Sequence, residues 1–370
     1  MDNHRLQALH AAGQSIWLDF IDRSILHNGD LERRLTDDVL TGMTSNPTIF
    51  QKALAEGTAY DEQLRAAPRN LNAAQLFELV ETQDVRDACD IFANVYNSTD
   101  GKDGFVSIEV SPGVANDVNA TVAEAHRLWK TVNRPNLLVK VPGTEEGAKA
   151  VRQLTTDGVN VNITLLFAVK AHERVIDAYI DGLEARVSKK LPIDRIASVA
   201  SFFVSRVDTE VDKRLEAIGG DARKLEGKAA IANAKMAYQL FVTKFGGSRW
   251  QALQEKGARV QRPLWASTST KNAAYRDVLY VETLIGPDTV NTMPPKTIED
   301  FRDHGIVART VDANMAGTRA ELQAIAEAGV SLDDVTDKLL RDGISSFEKS
   351  FETLRAGIDK KVAQLHQNGN

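Results

Sequence analysis

Eight short apolar runs recur along the chain, most of them followed by a longer stretch of helical periodicity, and this alternation narrows the possible folds more than any other feature. The runs are Ser15 to Phe20, Val39 to Met43, Phe105 to Val110, Asn136 to Val141, Asn160 to Leu165, Arg195 to Phe203, Val260 to Ala266 and Thr289 to Met293. Their length suits strands, and the most apolar among them suit strands covered on both faces. Between them, segments such as NDVNATVAEAHRLWKTV, AVKAHERVIDAYIDGLEARV and GKAAIANAKMAYQLFVTKF carry apolar residues at helical spacing. No low-complexity linker or Pro/Gly-rich break interrupts the series. The chain is therefore predicted to be α/β, a single (β/α)8 TIM barrel domain over residues 1–370, with an open doubly wound sheet as the competing architecture. The connection from Thr58 to Asn97 is longer than a barrel needs, which predicts inserted helices there.

Composition serves mainly to exclude. A formal charge of -6 with acids and bases interspersed gives no reason to expect nucleic acid or an anionic membrane as partner, so any phosphate must meet a local basic site. The N-terminus has no basic segment leading into an apolar one, and no stretch is apolar for long enough to span a bilayer, so a cytoplasmic location is expected. The single cysteine, Cys89, excludes an intrachain disulfide and shares one face of a predicted helix with Val85 and Phe92. The seven histidines are scattered singly, which suggests no metal site, and GxGxxG, GxxxxGK[ST] and GxSxG are all absent. Near the C-terminus Phe347, Phe351, Leu354, Ile358, Val362 and Leu365 recur at helical spacing. They predict an amphipathic helix over about residues 345–366 that covers part of the barrel or a partner subunit.

One apolar run contains a charge. Asn136 to Gly143, NLLVKVPG, sets Lys140 among Leu137, Leu138, Val139 and Val141. There an ammonium group either finds a partner or loses its proton more readily than in water, and a free lysine amine attacks carbonyls. Schiff-base chemistry is one reading; an amine that snorkels to solvent from the strand end is the other.

Barrel enzymes build their sites at the carboxyl ends of strands, so polar residues there are the candidates. Asp19 follows Ile16, Trp17 and Leu18, Glu109 stands between Ile108 and Val110, and Asn46 lies just past the second run with Pro47 fixing the turn. Asn162 and Thr164 alternate with Val161, Ile163 and Leu165 and so point to one side. Ser201 and Arg206 close the sixth run, and Ser269 and Lys271 the seventh. Singly, each has an ordinary reading: Asp19 as a helix cap, Glu109 paired with a neighbouring strand's lysine, Asn46 as a turn residue, Arg206 at the start of a solvated helix. Jointly, six of the eight strands would carry polar groups to one end, around one pocket. The residue types also fit one reaction. An amine forms an imine, carboxylates relay protons as carbon–carbon bonds break, amides and hydroxyls hold a polyol, and two cations hold a phosphate. This is class I aldol chemistry.

The motifs TSNPTIF, SIEVSP, LLVKVPGTEEG, VNITLLF and SFFVSRVD, in that order, resemble the strand-end motifs of transaldolases, and the likeness continues through ASTSTKN, NTMP and GVSLDDVTDKLLRDGISSFEKSFETL. The resemblance implies a barrel that moves a dihydroxyacetone unit from a ketose phosphate to an aldose phosphate in the non-oxidative pentose phosphate pathway, without a cofactor, as a monomer or homodimer. It implies that Lys140 is the Schiff-base lysine, Glu109 the carboxylate working through a bound water, Thr164 a hydroxyl holding that water, and Asp19 the acid/base at the bond being broken. It further implies that Asn46, Asn162 and Ser201 hold the dihydroxyacetone portion and that Arg206 and Ser269 contact phosphate. The related fructose 6-phosphate aldolases carry glutamine and tyrosine where this chain has Glu109 and Phe203, which favours transfer over release of free dihydroxyacetone. Lys271 departs from the arginine of the best-known members; it keeps the charge and gives up the planar fork. An aldolase that releases dihydroxyacetone and a barrel that binds sugar phosphate without turnover are the alternative functions.

Overall fold

The computed structural model describes residues 3–45, 50, 54 and 57–367. Each apolar run forms a strand: β1 (Gln14–Asp19), β2 (Leu40–Thr44), β3 (Phe105–Glu109), β4 (Leu137–Pro142), β5 (Val161–Leu166), β6 (Ser198–Phe203), β7 (Gln261–Ala266) and β8 (Thr289–Met293). All paired strands are parallel, and β1 bonds to both β2 and β8, so the sheet closes on itself. Closure excludes the open doubly wound sheet and makes the fold a (β/α)8 TIM barrel. Runs and strands agree to within one residue at each end except at β6, which starts at Ser198 rather than Arg195. Arg195 turns outward to an ion pair with Asp100 at 2.7 Å, and Ile196 joins a satellite core cluster with Tyr179 and Trp250.

Alternate side chains face the barrel interior and the surrounding helices. The interior is packed: Trp17 takes the space beside Gly42, where a Cβ would lie 2.5 Å from the indole. No helix among the described residues is long and apolar enough to cross a membrane.

Two helical additions shape the carboxyl end of the barrel. The connection before β3 holds the helices Asp61–Ala66, Ala73–Ile91 and Ala93–Ser98, the longest opened by a capping box between Asn72 and Gln75. Val85, Cys89 and Phe92 are buried along it, as their spacing predicts. The C-terminal helix runs from Leu332 to Gln367, starting well before the 345–366 segment that its aromatic stripe marks. Its first turns, LDDVTDKLLRDG, are charge-rich and contain Gly343, so no aromatic stripe marks them. That glycine lets the helix press on β5, since a Cβ would meet Leu165 at 3.0 Å. Further along, Phe351 meets Phe77 edge-on at 5.8 Å and Lys361 binds Asp61 at 2.9 Å. The helix therefore crosses from the end of β5 to the inserted helices, over the strand ends where a site is expected.

Candidate active site

Strand register sets the centre of the site. Glu109 on β3 stands opposite Lys140 on β4, and Lys140 opposite Asn162 on β5. Lys140 is 7% exposed; its Nζ lies 3.1 Å from Glu109 Oε2 and donates to the Ser45 carbonyl at 3.1 Å. The amine does not snorkel, because it has found a partner. Glu109 thus fits its ordinary reading, a pair with a neighbouring strand's lysine, and that lysine is Lys140 itself. Burial pushes the Glu109 carboxyl above the usual carboxylate range; Lys140 pulls it back and Asp19 adds to the rise.

Asp19 ends β1 and accepts a hydrogen bond from Thr44 Oγ1 at 2.9 Å, while Thr44 and Thr292 share a second at 2.8 Å. It does not cap the following helix, a duty performed by Asp22 for Arg23–His27. Below the amine runs a chain of short bonds: Ser201 Oγ donates to Asn162 Oδ1 at 2.7 Å, and Asn162 Nδ2 to Ser107 Oγ at 3.0 Å. Thr164 is different. Its hydroxyl is buried without a partner among the described residues, an orphan that suits a water or a substrate group.

A cavity of about 360 Å³ opens above these groups, lined by Asp19, Lys140, Thr164, Ser201, Phe203, Arg206, Ser269 and Lys271 together with Thr44, Thr292, Ser346, Phe347 and Ser350. Eight of the residues singled out in the sequence therefore share one space. Arg206 does not close β6; it lies in the first turn of the helix Ser205–Ile218, its guanidinium 5.1 Å from the Phe203 ring centre. Ser269 and Lys271 lie past the end of β7 at Ala266, in the following loop, where Lys271 Nζ donates to Ser269 Oγ at 2.8 Å. Neither Arg206 nor Lys271 meets a carboxylate at ion-pair distance among the described residues, so both cations are available to an anion at the cavity. Burial works against the Arg206 charge and Asp19 supports it. Two predicted residues do not line this space. Asn162 lies beneath it, fully buried, and Glu109 faces a second cavity on the far side of Lys140. Asn46 lies outside the described residues.

Residues 16–358 match the family described as Transaldolase/Fructose-6-phosphate aldolase. The chain belongs to that family. Among its relatives, the transaldolase of Acidothermus cellulolyticus is 49% identical over 98% of both chains, and that of Mycolicibacterium smegmatis 47% identical over 98% of both. The transaldolase of Trichodesmium erythraeum is 43% identical over the same shares. The transaldolase/aldolase match begins in β1 and ends in the C-terminal helix, so it takes in every strand that feeds the cavity and the helix that covers it. What the strand pattern missed is the contribution of that helix and of Thr44 and Thr292. The threonines stand in TSNPTIF, two residues before Asn46, and in NTMP. Ser346 and Ser350 flank the aromatic stripe that reads simply as core.

Proposed function

We propose that the chain is a transaldolase, carrying a dihydroxyacetone unit on Lys140 from sedoheptulose 7-phosphate or fructose 6-phosphate to glyceraldehyde 3-phosphate or erythrose 4-phosphate. The observation that carries the reading is the Lys140–Glu109 contact at 3.1 Å, buried at the edge of a cavity that also holds a hydroxyl without a partner and two cations without a carboxylate among the described residues. Lys140 gives its proton to Glu109 and attacks the ketone carbon. Glu109 returns a proton, through a water held by Thr164, to the carbinolamine hydroxyl, which leaves as water and forms the iminium. Asp19 then takes the proton of the hydroxyl beyond the scissile bond. The carbon–carbon bond breaks, its electron pair flows into the enamine on Lys140, and the aldose leaves. The acceptor aldehyde runs the sequence in reverse.

Ser201 and Asn162, with Asn46, hold the hydroxyls of the three-carbon unit, and Phe203 forms the apolar wall beside it. Arg206, Ser269 and Lys271 hold the phosphate. The electron sink is the iminium itself, so the reaction calls for no cofactor. The enzyme works on sugar phosphates in the cytoplasm, as a monomer or homodimer, in the non-oxidative pentose phosphate pathway.

Borohydride trapping tests this. With fructose 6-phosphate and reductant, the expected product is a three-carbon adduct on Lys140, found by peptide mass spectrometry, and without reductant the loaded enzyme needs erythrose 4-phosphate to discharge. An adduct on another lysine, or none, overturns the assignment; steady release of free dihydroxyacetone without an acceptor would make the chain an aldolase instead.

A further inference from the structure

The Lys140–Glu109 pair is a partition between two cavities. Lys140 opens onto the substrate cavity, whereas Glu109 lines a separate space of about 570 Å³ between the inserted helix Ala73–Ile91 and the helix Val118–Val132. Four carboxylates line this second space: Glu78, Glu81, Glu109 and Glu124. Three have partners. Glu109 meets Lys140, Glu78 takes both arms of the Arg127 fork at 3.0 and 2.7 Å, and Glu124 accepts from the Ser111 amide at 3.0 Å and its hydroxyl at 2.8 Å. Glu81 is only 4% exposed, yet no hydrogen bond or ion pair reaches its carboxyl among the described residues. An ionised carboxylate in that position would be costly. Burial holds the Glu81 carboxyl well above the usual range, with Glu109, Glu78 and Glu124 adding to the rise and Lys140 opposing it.

We propose that Glu81, supplied by the inserted helix, holds a proton for Glu109 and delivers it through water in the second cavity, giving Glu109 a route to solvent that bypasses bound substrate. Glu81 touches no substrate; it is a positioning residue that acts through Glu109. The cavity carries four carboxylates and is far larger than the roughly 10–15 Å³ that one water requires. When Glu109 has protonated the departing carbinolamine hydroxyl, its carboxylate takes a proton from a cavity water, which takes one from Glu81, and solvent reprotonates Glu81. One O–H bond breaks and one forms at each transfer. Before the product imine is hydrolysed the same path runs backwards, leaving Glu109 again a carboxylate that can take the proton of the attacking water, so the cycle closes without a co-reactant. The ketose meanwhile occupies the other cavity, beside Ser346, Phe347 and Ser350 of the C-terminal helix.

The inference rests on Lys140 being the Schiff-base lysine, and the test separates the two. In the full-length enzyme Glu81→Gln keeps shape and neutrality but carries no transferable proton. The expected result is a kcat about tenfold lower, short of the 10²–10⁴ of a group acting directly on substrate, with KM, thermal midpoint and Lys140 adduct yield unchanged. The solvent deuterium isotope effect on kcat should rise, Glu81→Asp should recover most of the rate, and formate should restore activity to Glu81→Ala. Wild-type kcat and isotope effect in Glu81→Gln, with the adduct intact, would overturn this proposal alone. A loss that follows the thermal midpoint, with no rescue by formate, would also overturn it. No adduct in the wild type would overturn the reading of Lys140 and this proposal with it.

Discussion

The two ends of the barrel treat polar side chains in opposite ways. At the amino end Arg262 donates to Ser15 Oγ at 2.5 Å and to the Thr289 carbonyl at 2.8 Å, and lies 3.4 Å from Asp103. Asp103 in turn accepts from Trp17 Nε1 at 2.8 Å, and Gln14 donates to the Leu284 carbonyl at 2.8 Å and to Thr289 Oγ1 at 3.0 Å. Asn136 and Asn160 each spend an amide on two backbone carbonyls. Every one of these polar groups is consumed by the fold. At the carboxyl end, among the described residues, Thr164 is an orphan and Arg206 and Lys271 lack carboxylates, and Glu109 is held above its usual range. At the amino end most polar groups are satisfied, Gln261 Oε1 being a buried exception, whereas at the carboxyl end the unsatisfied groups face the cavity.

Substitutions at the two ends should therefore fail differently. The largest effect is expected at the carboxyl end. Glu109→Gln removes the carboxylate beside Lys140, and on the proposed mechanism kcat for transfer should fall by about 10²-fold or more with a much smaller change in KM. Steady-state kinetics with saturating acceptor would check this. A variant that keeps more than a third of its kcat would mean that the contact is only structural, like those at the other end.

Arg262→Leu is the counterpart. It breaks an ion pair whose side chains are 16% and 7% exposed, and the expected cost is about 3 kcal/mol of unfolding free energy. Denaturant unfolding should show this as a lower midpoint at constant m-value, with kcat at 25 °C within about twofold of wild type. Loss of activity from the still-folded variant would erase the contrast between the ends.

Sequence exposes these two ends unequally. The eight strands are legible because burial on both faces leaves short apolar runs that nothing else in a soluble chain imitates. Lys140, Glu109 and Asp19 are legible because a charge in such a run is anomalous. Arg206 and Lys271 sit in a helix and a loop, where charge is normal, and only their joint exposure to one cavity distinguishes them. Glu81 is less visible still. It lies in LFELVETQDV, among other acids on a helix that reads as amphipathic, and its isolation depends on Arg127 and Ser111, which are far away in the chain and take up its neighbours. The side from which the C-terminal helix meets the cavity is equally unreadable, since Ser346 and Ser350 acquire meaning only from the strand ends beneath them.

His172 tests whether an orphaned polar group always signals function. It lies in the helix Val169–Ser188, fully buried, with neither ring nitrogen partnered among the described residues, its ring 5.8 Å from that of Phe202. Ser201 and Phe203 line the cavity, so by strand alternation Phe202 points the other way, and His172 belongs to the outer wall. Burial alone depresses its pKa to about 4. On acidification the unfolded chain gains a proton near the ordinary value of 6.5, while the folded chain resists until about 4, so stability present above pH 6.5 is lost across that window. His172→Leu abolishes this component and removes two buried unsatisfied nitrogens. It should leave kcat unchanged, raise unfolding free energy at pH 7 by about 1–3 kcal/mol, and flatten the decline between pH 6.5 and 4. Urea titrations at pH 7, 5.5 and 4.5 would measure all three points. If the variant is instead less stable and slower, the orphaned imidazole is part of the working machinery, and the division of the barrel into a satisfied end and a functional end must be extended to its wall.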